Sequence, residues 1–302
     1  MIITPPYLQK GDTVAIVCPA GYMPAEKVQT AVQTLMSWGY SVKIGPSVGG
    51  ESCTYFSGTD EQRLADLQLA LNDENVKAIL CGRGGYGTGR IIEQIDFSAF
   101  VKSPKWLIGF SDITVLHSHI FSNYGISTLH APMAGAFNDG GATGEYVLSL
   151  KQALEGITSA YPGPDHPFNK LGTATGQLVG GNLALLAHLV GTSSDIDTNG
   201  KLLFIEDVGE YLYNIDRMMY QLKRSGKFDN LAGLIIGGFS DCKDMERPFG
   251  KTVFEIIHDI VKDYHYPICF DFPVSHTERN YALKIGQEYL LRIDSTGAIL
   301  AE

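Results

Sequence analysis

The chain has 302 residues, 44% of them hydrophobic and 19% charged, with a mean hydropathy of +0.01. That is enough apolar material for one large core or two ordinary ones, and it excludes disorder as the main theme. The 23 Lys and Arg against 33 Asp and Glu leave a net charge of −10 with no basic run, so a nucleic-acid backbone would be repelled by most of this surface.

Five cysteines, at Cys18, Cys53, Cys81, Cys242 and Cys269, are odd in number and contain no Cys-x-x-Cys pair, which fits a reducing compartment better than a disulfide framework or a zinc clamp. The opening MIITPPYLQKGD puts two prolines, Lys10 and Asp12 where a signal peptide needs its apolar run, so a cytoplasmic location is expected. The apolar stretch Leu231 to Phe239 is far shorter than the ~18 residues of a membrane span and reads as a buried strand.

In chain order, Asp12 to Cys18 reads as a strand, followed by a turn and a helix with Pro24 in its first turn. In that helix Val28, Ala31, Val32, Leu35 and Met36 form one apolar stripe, and Gly39 can close it in left-handed conformation. Tyr40 to Ile44 is the next strand. A Gly/Ser-rich loop then leads to a helix opened by Thr59 and Gln62 at capping-box spacing, with Leu64, Leu67 and Leu71 inward. Val76 to Cys81 is a strand, Gly89 to Ile95 starts a helix, Lys105 to Phe110 is a strand and Asp112 to Tyr124 a helix. Such alternation predicts a parallel sheet with right-handed crossovers.

A helix near Glu145 to Leu154 precedes the proline-rich YPGPDHP at Tyr161 to Pro167, which marks a boundary. The expected organisation is an N-terminal α/β domain over 1–160, a linker over 161–172 and a second α/β domain over 173–302. The second half has predicted strands near Gly176 to Val179, Leu202 to Glu206, Leu231 to Gly237 and Ile268 to Phe272. Helices are predicted near Leu183 to Val190, Ile215 to Ser225 and Val253 to Lys262, with a pair of strands in YALKIGQEYLLRID. There is no internal repeat and no low-complexity segment.

Gly82 to Gly87 (GRGGYG) matches the dinucleotide pattern G-x-G-x-x-G, but it follows the third strand, and about 20 residues on no acidic residue ends a next strand. It also lacks the Gly-Lys-Ser/Thr ending of a P-loop. What the glycines do supply is backbone that presents N–H groups without side-chain cover, as an oxyanion hole requires. In Gly109-Phe110-Ser111-Asp112 a serine stands at a strand-to-helix turn, where it is either an exposed nucleophile or an ordinary N-cap. The G-x-S-x-G elbow is incomplete, with Ile113 in the last position.

A serine nucleophile needs a base and the base an orienter. His117 and His119, two apart on a helix, point away from each other and read as structural; His130 follows a strand, and His166, His188, His258 and His265 lack companion motifs. His276 stands in the turn after ICFDF, at the carboxyl end of a strand. In Leu202 to Glu210 an apolar strand ends in two carboxylates, Glu206 and Asp207, which alternation directs to opposite faces. A carboxylate there needs a partner, and an imidazole N–H is a suitable one; a surface or capping acid pair is the alternative.

Together these pieces resemble the LD-carboxypeptidases, the family of murein tetrapeptide carboxypeptidases and microcin C self-immunity peptidases. The similarity runs through PPYLQKGDTVAIVCPAG, RGGYG at Arg83 to Gly87, GFSD at Gly109 to Asp112, GGN at Gly180 to Asn182, FIEDVGE at Phe204 to Glu210 with the following IDRM, and FPVSH at Phe272 to His276. The resemblance implies a serine peptidase with Ser111 as nucleophile, His276 as general base and Glu206 as orienter, Asp207 being only a neighbour. It also implies a flavodoxin-like N-terminal parallel-sheet domain, a smaller C-terminal α/β domain, and an active site in the cleft between them. The oxyanion donors would be the backbone N–H groups of Asp112 and of the Gly84–Gly85 turn, Gly85 favoured. Ser275 stands where the family often has Gly, without changing these roles.

The implied reaction is hydrolysis of the L,D amide that releases terminal D-Ala from a muropeptide tetrapeptide during cell-wall recycling, with no metal or organic cofactor. The implied partners are a small peptide or muropeptide and a second copy of the chain, with neither nucleic acid nor membrane. Because substrate and protein are both anionic, a local cation should receive the terminal carboxylate, and Arg83 beside Gly84 and Tyr86 is the candidate; a structural role for that arginine is the alternative. Tyr86 and Gly87 keep the tetrapeptidase-like form of the loop. Two other readings remain: a peptidase cleaving aminoacyl-sulfamoyl adenylates, and a non-catalytic nucleotide-binding α/β protein using GRGGYG for phosphate.

Overall fold

The computed structural model describes residues 2–50, 52 and 54–302, so Cys53 lies outside the described residues. The chain divides into two compact units, the first Met1–Ile157 with Tyr281–Lys284 and the second Thr158–Asn280 with Ile285–Glu302. Residues 161–172, expected as a linker, lie in the second unit, and Ala160–Gly163 is an edge strand there. Pro162 is tolerated there because one side of an edge strand needs no ladder donor.

In the first unit the parallel strands β1 (Thr13–Val17), β2 (Ser41–Ile44), β3 (Val76–Cys81), β4 (Trp106–Gly109) and β5 (Thr128–His130) stand in the order β2-β1-β3-β4-β5. This is the flavodoxin-like order. Strand β4 is a short apolar run buried throughout, and β3 is buried except at the exposed Lys77, as strands inside a parallel sheet tend to be. Helices α1 (Gln29–Ser37), α2 (Asp60–Asn72), α3 (Thr88–Ile91), α4 (Ser98–Lys102), α5 (Thr114–Tyr124) and α6 (Glu145–Leu154) complete it.

A 3-10 turn, Ala25–Val28, leads into α1 from Pro24, and Val28, Ala31 and Leu35 are buried while Met36 is exposed. The predicted stripe was thus one position too wide. In α2 the Thr59–Gln62 capping box forms in both directions. Its Leu67 and Leu71 are buried, but so are Arg63 and Asp66. The helix expected from Gly89 breaks after one turn into a 3-10 turn, Ile92–Gln94.

The second unit contains β6 (Ala160–Gly163), β7 (Gly172–Asn182), β8 (Leu202–Val208), β9 (Gly233–Ser240) and β10 (Ile268–Cys269), with helices α7 (Leu183–Leu189), α8 (Leu212–Arg224) and α9 (Val253–Val261). After β11 (Leu283–Ile285), an edge strand of the first sheet, come β12 (Glu288–Asp294) and β13 (Gly297–Ala301). The sheet order is β10-β9-β8-β7-β12-β13-β6, parallel from β10 to β7 and antiparallel beyond. The strand expected over Ile268 to Phe272 is confined to two residues, and the expected terminal pair is split between the two sheets.

Strand β8 lies inside the parallel part of this sheet and is buried from Leu202 to Asp207. Its neighbour β7 approaches unusually closely at Gly180, whose φ is 142° and where an added Cβ would lie 2.0 Å from Phe204 O. Because the obstacle is backbone, it cannot swing aside. Gly180→Ala is expected to destabilise the protein by about 3 kcal/mol or more, read as a lower midpoint in denaturant unfolding; an unchanged midpoint would show that the strands part freely.

Candidate active site

In the first unit the strand order reverses between β1 and β3, and in open α/β sheets ligands bind outside the carboxyl ends of strands at such a point. The loops after β1, β3 and β4 are therefore where a ligand would be met, and Ser111 stands two residues beyond the end of β4. Its φ of 63° places it in the left-handed region, a conformation that costs a non-glycine residue about 1–2 kcal/mol and marks sharp strand-to-helix elbows. It is not a helix cap: Phe110 and Ile113 precede the 3-10 turn Ser111–Ile113 and α5, and neither position is capped by a side chain. Of the two readings open for this serine, the geometry favours the displayed hydroxyl.

The elbow is held from several sides. An added Cβ on Gly109 would lie 2.9 Å from Ile113 Cγ1, so only glycine lets the turn fold back so tightly. The buried His117 donates from Nε2 to Gly109 O at 2.8 Å and accepts from Thr128 Oγ1 at Nδ1, also at 2.8 Å, which fixes its tautomer. Burial brings its pKa down to about 4, so it stays neutral and structural. The glycine loop lies against Ser111, since a Cβ on Gly84 would sit 2.8 Å from Ser111 Cβ and 3.1 Å from its Oγ. Gly85 has φ +98°, and Gly21 N–H donates to Gly84 O at 3.0 Å.

In the second unit His276 Nδ1–H donates to Glu206 Oε2 at 2.6 Å. Glu206 is fully buried and the imidazole only 14% exposed, so the carboxylate holds the ring in one orientation. Burial pushes the His276 pKa down, but the charge and hydrogen bond of Glu206, with the charge of Asp207 behind it, outweigh burial and raise it above the ordinary value. Asp207 points elsewhere. Its carboxylate accepts from Asn182 Nδ2, Ala184 N and Val208 N at 2.8, 3.0 and 2.8 Å, tying β8 to the start of α7, and burial first and Glu206 second raise its pKa to about 6.

Two glycines bring His276 to Glu206. The β8–β9 register slips between Ile205 and Asp207, leaving Gly237 and Gly238 opposite Glu206 as a bulge. A Cβ on Gly237 would meet Val274 O at 2.3 Å, and one on Gly238 would meet Ser275 Cβ at 2.7 Å. The turn carrying His276 is thus pressed onto the bulge. Ser275 accepts from Thr277 N and reaches Arg279 O, bracing that turn from inside.

The remaining expected site residues lie around the glycine loop. Asp112 is buried, and its carboxylate accepts from Thr88 N at 2.8 Å. Arg83 is exposed and donates from Nη1 to Tyr22 O at 2.9 Å. Tyr86 is exposed beside Phe56, at a ring separation of 5.9 Å. His130 is buried with its ring against Phe110, and His166 belongs to an aromatic cluster with Phe168, Phe254 and Phe270. The structural role read for His117 from the sequence is the one it has here, whereas Arg63 and the Gly237–Gly238 bulge were not anticipated; the Gly-Gly inside an apolar strand was the available signal for the latter.

A serine on a left-handed elbow beside a glycine loop, and a histidine hydrogen-bonded to a buried glutamate, are residue types that a serine hydrolase uses. Residues 14–131 match the LD-carboxypeptidase N-terminal domain and residues 175–291 the LD-carboxypeptidase C-terminal domain, so the chain belongs to the LD-carboxypeptidase family. It is 38% identical over 301 residues to a probable murein peptide carboxypeptidase of Bacillus subtilis, covering 98% of this chain and 93% of that protein. It is 31% identical over 293 residues to a murein tetrapeptide carboxypeptidase of Pseudomonas aeruginosa, covering 92% of each. Among solved structures, a muramoyltetrapeptide carboxypeptidase from Oxalobacter formigenes superposes with a TM-score of 0.86 at 28% identity, covering 96% of this chain and 98% of that one. The microcin C7 self-immunity protein has the same fold, with a TM-score of 0.85 at 20% identity over 99% of this chain and 98% of that one.

Proposed function

We propose that this protein is a serine LD-carboxypeptidase that releases terminal D-Ala from muropeptide tetrapeptides, in cytoplasmic recycling of cell-wall fragments and as a homodimer. The observation that carries the reading is the 2.6 Å bond from His276 to the buried Glu206, which leaves Nε2 as the nitrogen able to take a proton. In this reading Ser111 Oγ attacks the carbonyl carbon of the L,D amide and gives its proton to His276 Nε2. The oxyanion is received by the N–H groups of Asp112 and Gly85. His276 then protonates the departing amine of D-Ala, and a water molecule, deprotonated by the same imidazole, hydrolyses the acyl-enzyme. Nothing in these steps calls for a metal or an organic cofactor.

Arg83 is proposed to receive the terminal carboxylate, and Gly84 and Tyr86 to line the same subsite. Charge-assisted hydrogen bonds contribute about 1.5–3 kcal/mol, so Arg83→Ala is expected to raise KM for tetrapeptide by roughly 10-fold or more with kcat within a few-fold. Steady-state kinetics check this; an unchanged KM would return Arg83 to the structural role its bond to Tyr22 O already gives it.

The test of the function is incubation of the protein with L-Ala-γ-D-Glu-meso-diaminopimelate-D-Ala, with D-Ala release followed by mass spectrometry. A parallel arm contains an aminoacyl-sulfamoyl adenylate. Release of D-Ala with little cleavage of the adenylate is expected. The reverse preference would make this a microcin-type peptidase, and dinucleotide binding without either hydrolysis would leave the glycine loop a phosphate site.

A further inference from the structure

One peptide unit in the glycine loop is gripped from both ends. The carbonyl of Gly87 accepts from Arg63 Nη1 at 3.1 Å, and the amide N–H of the next residue, Thr88, donates to the Asp112 carboxylate at 2.8 Å. Both gripping side chains are buried, Arg63 completely, and their opposite charges act on each other across the same peptide. Arg63 is itself anchored by Pro19 O at 2.5 Å and by the Asp60 carboxylate, so its position is set by the loop after β1 and the first turn of α2.

The gripped peptide sits where the loop would otherwise be loosest. Gly85 and Gly87 have φ of +98° and +146°, and a glycine at such angles has several conformations of similar energy open to it. A Cβ on Gly87 would lie 2.8 Å from Arg63 Nη1 and 3.1 Å from Ala20 Cα, so the close approach that makes the clamp possible also requires glycine. A flip of the 87–88 peptide would break both charged contacts at once. Two buried charged groups are costly to keep, and the fold has placed both on a single loop peptide two residues beyond Gly85.

We infer that Asp112 and Arg63 are positioning residues whose clamp on the Gly87–Thr88 peptide aims the Gly85 N–H at the developing oxyanion. This rests on the hydrolase reading above. Asp112 then serves the oxyanion hole twice, donating one N–H from its own backbone and fixing through its side chain the loop that donates the other. An oxyanion donor acts only in the transition state, and misplacing one by about 1 Å can cost on the order of 100-fold. The clamp should therefore govern kcat and leave substrate binding nearly alone.

The test compares Asp112→Ala, Asp112→Asn and Arg63→Lys with the wild type in tetrapeptide hydrolysis and in covalent labelling by a fluorophosphonate ester, which reports on serine and oxyanion hole without assuming the natural substrate. Asp112→Ala is expected to lower kcat about 10- to 100-fold with KM within about threefold, and to slow labelling in parallel. Asp112→Asn keeps an oxygen for the Thr88 N–H and should recover most of the rate. Arg63→Lys, whose single amine cannot serve Pro19, Gly87 and Asp60 together, should repeat the kcat loss, and it carries the test if Asp112→Ala does not fold. Wild-type kcat in Asp112→Ala or in Arg63→Lys, or losses confined to KM, would overturn the clamp while leaving the hydrolase reading in place. A wild type that neither hydrolyses tetrapeptide nor labels would remove both.

Discussion

Ser111→Ala is expected to lower kcat for tetrapeptide by at least about 10⁴-fold while the protein stays folded, because loss of a serine nucleophile removes the covalent route and leaves only the oxyanion hole and binding. The structural cost should be small. Ser111 already has a φ of 63°, alanine tolerates that angle no worse than serine, and no helix end depends on the hydroxyl. A thermal melt within a few degrees of wild type, together with abolished D-Ala release, is the expected pair of results. Turnover near the wild-type rate would mean that the elbow displays a serine that does not react.

Glu206→Gln is expected to cost nearly as much, about 10⁴-fold in kcat, although it changes one atom of a buried side chain. Glu206 accepts from His276 Nδ1–H, which leaves Nε2 as the basic nitrogen. An amide NH₂ in that place favours the opposite tautomer, with the proton on Nε2, and the base is lost. The pH profile separates this from simple disruption. In the proposed mechanism His276 takes a proton only when neutral, and its pKa is raised because the charge and bond of Glu206 and the charge of Asp207 outweigh the downward push of burial. The acid limb of kcat/KM in the wild type should therefore fall above the ordinary histidine value of about 6.5. Glu206→Gln leaves burial with less opposition, so the limb of the residual activity should move to lower pH. Asp207, raised to about 6 in part by Glu206, should move down with it, and the observed limb belongs to the coupled set. An acid limb that stays in place would separate Glu206 from the titrating base.

Much of this site was legible from residue patterns. The strand-helix alternation and the run from GRGGYG to FPVSH located the glycine loop, the elbow, the acid and the histidine at the ends of strands, and those placements agree with β3, β4 and β8 and with the turn after β10. Less legible were features that depend on backbone angles or on partners far along the chain. Local sequence could not decide whether Ser111 caps a helix, since that turns on a φ of 63°. Arg63 follows a capping box and reads as a solvated charge on α2; it is buried because the backbones at Pro19 and Gly87 converge on it from other loops. The segment at Tyr161 to Pro167 reads as a linker by composition, yet Ala160–Gly163 finds a ladder partner in β13, more than 130 residues later, which no local rule anticipates.

The most direct measurement of the shared action of Ser111 and His276 compares D-Ala release by the wild type, Ser111→Ala, His276→Ala and the double variant under one set of conditions. Groups that work as one catalytic unit are strongly non-additive. Both single variants and the double variant are expected to fall to the same residual rate. Independent losses that multiply in the double variant, or a His276→Ala enzyme that keeps most of its activity, would contradict this shared action.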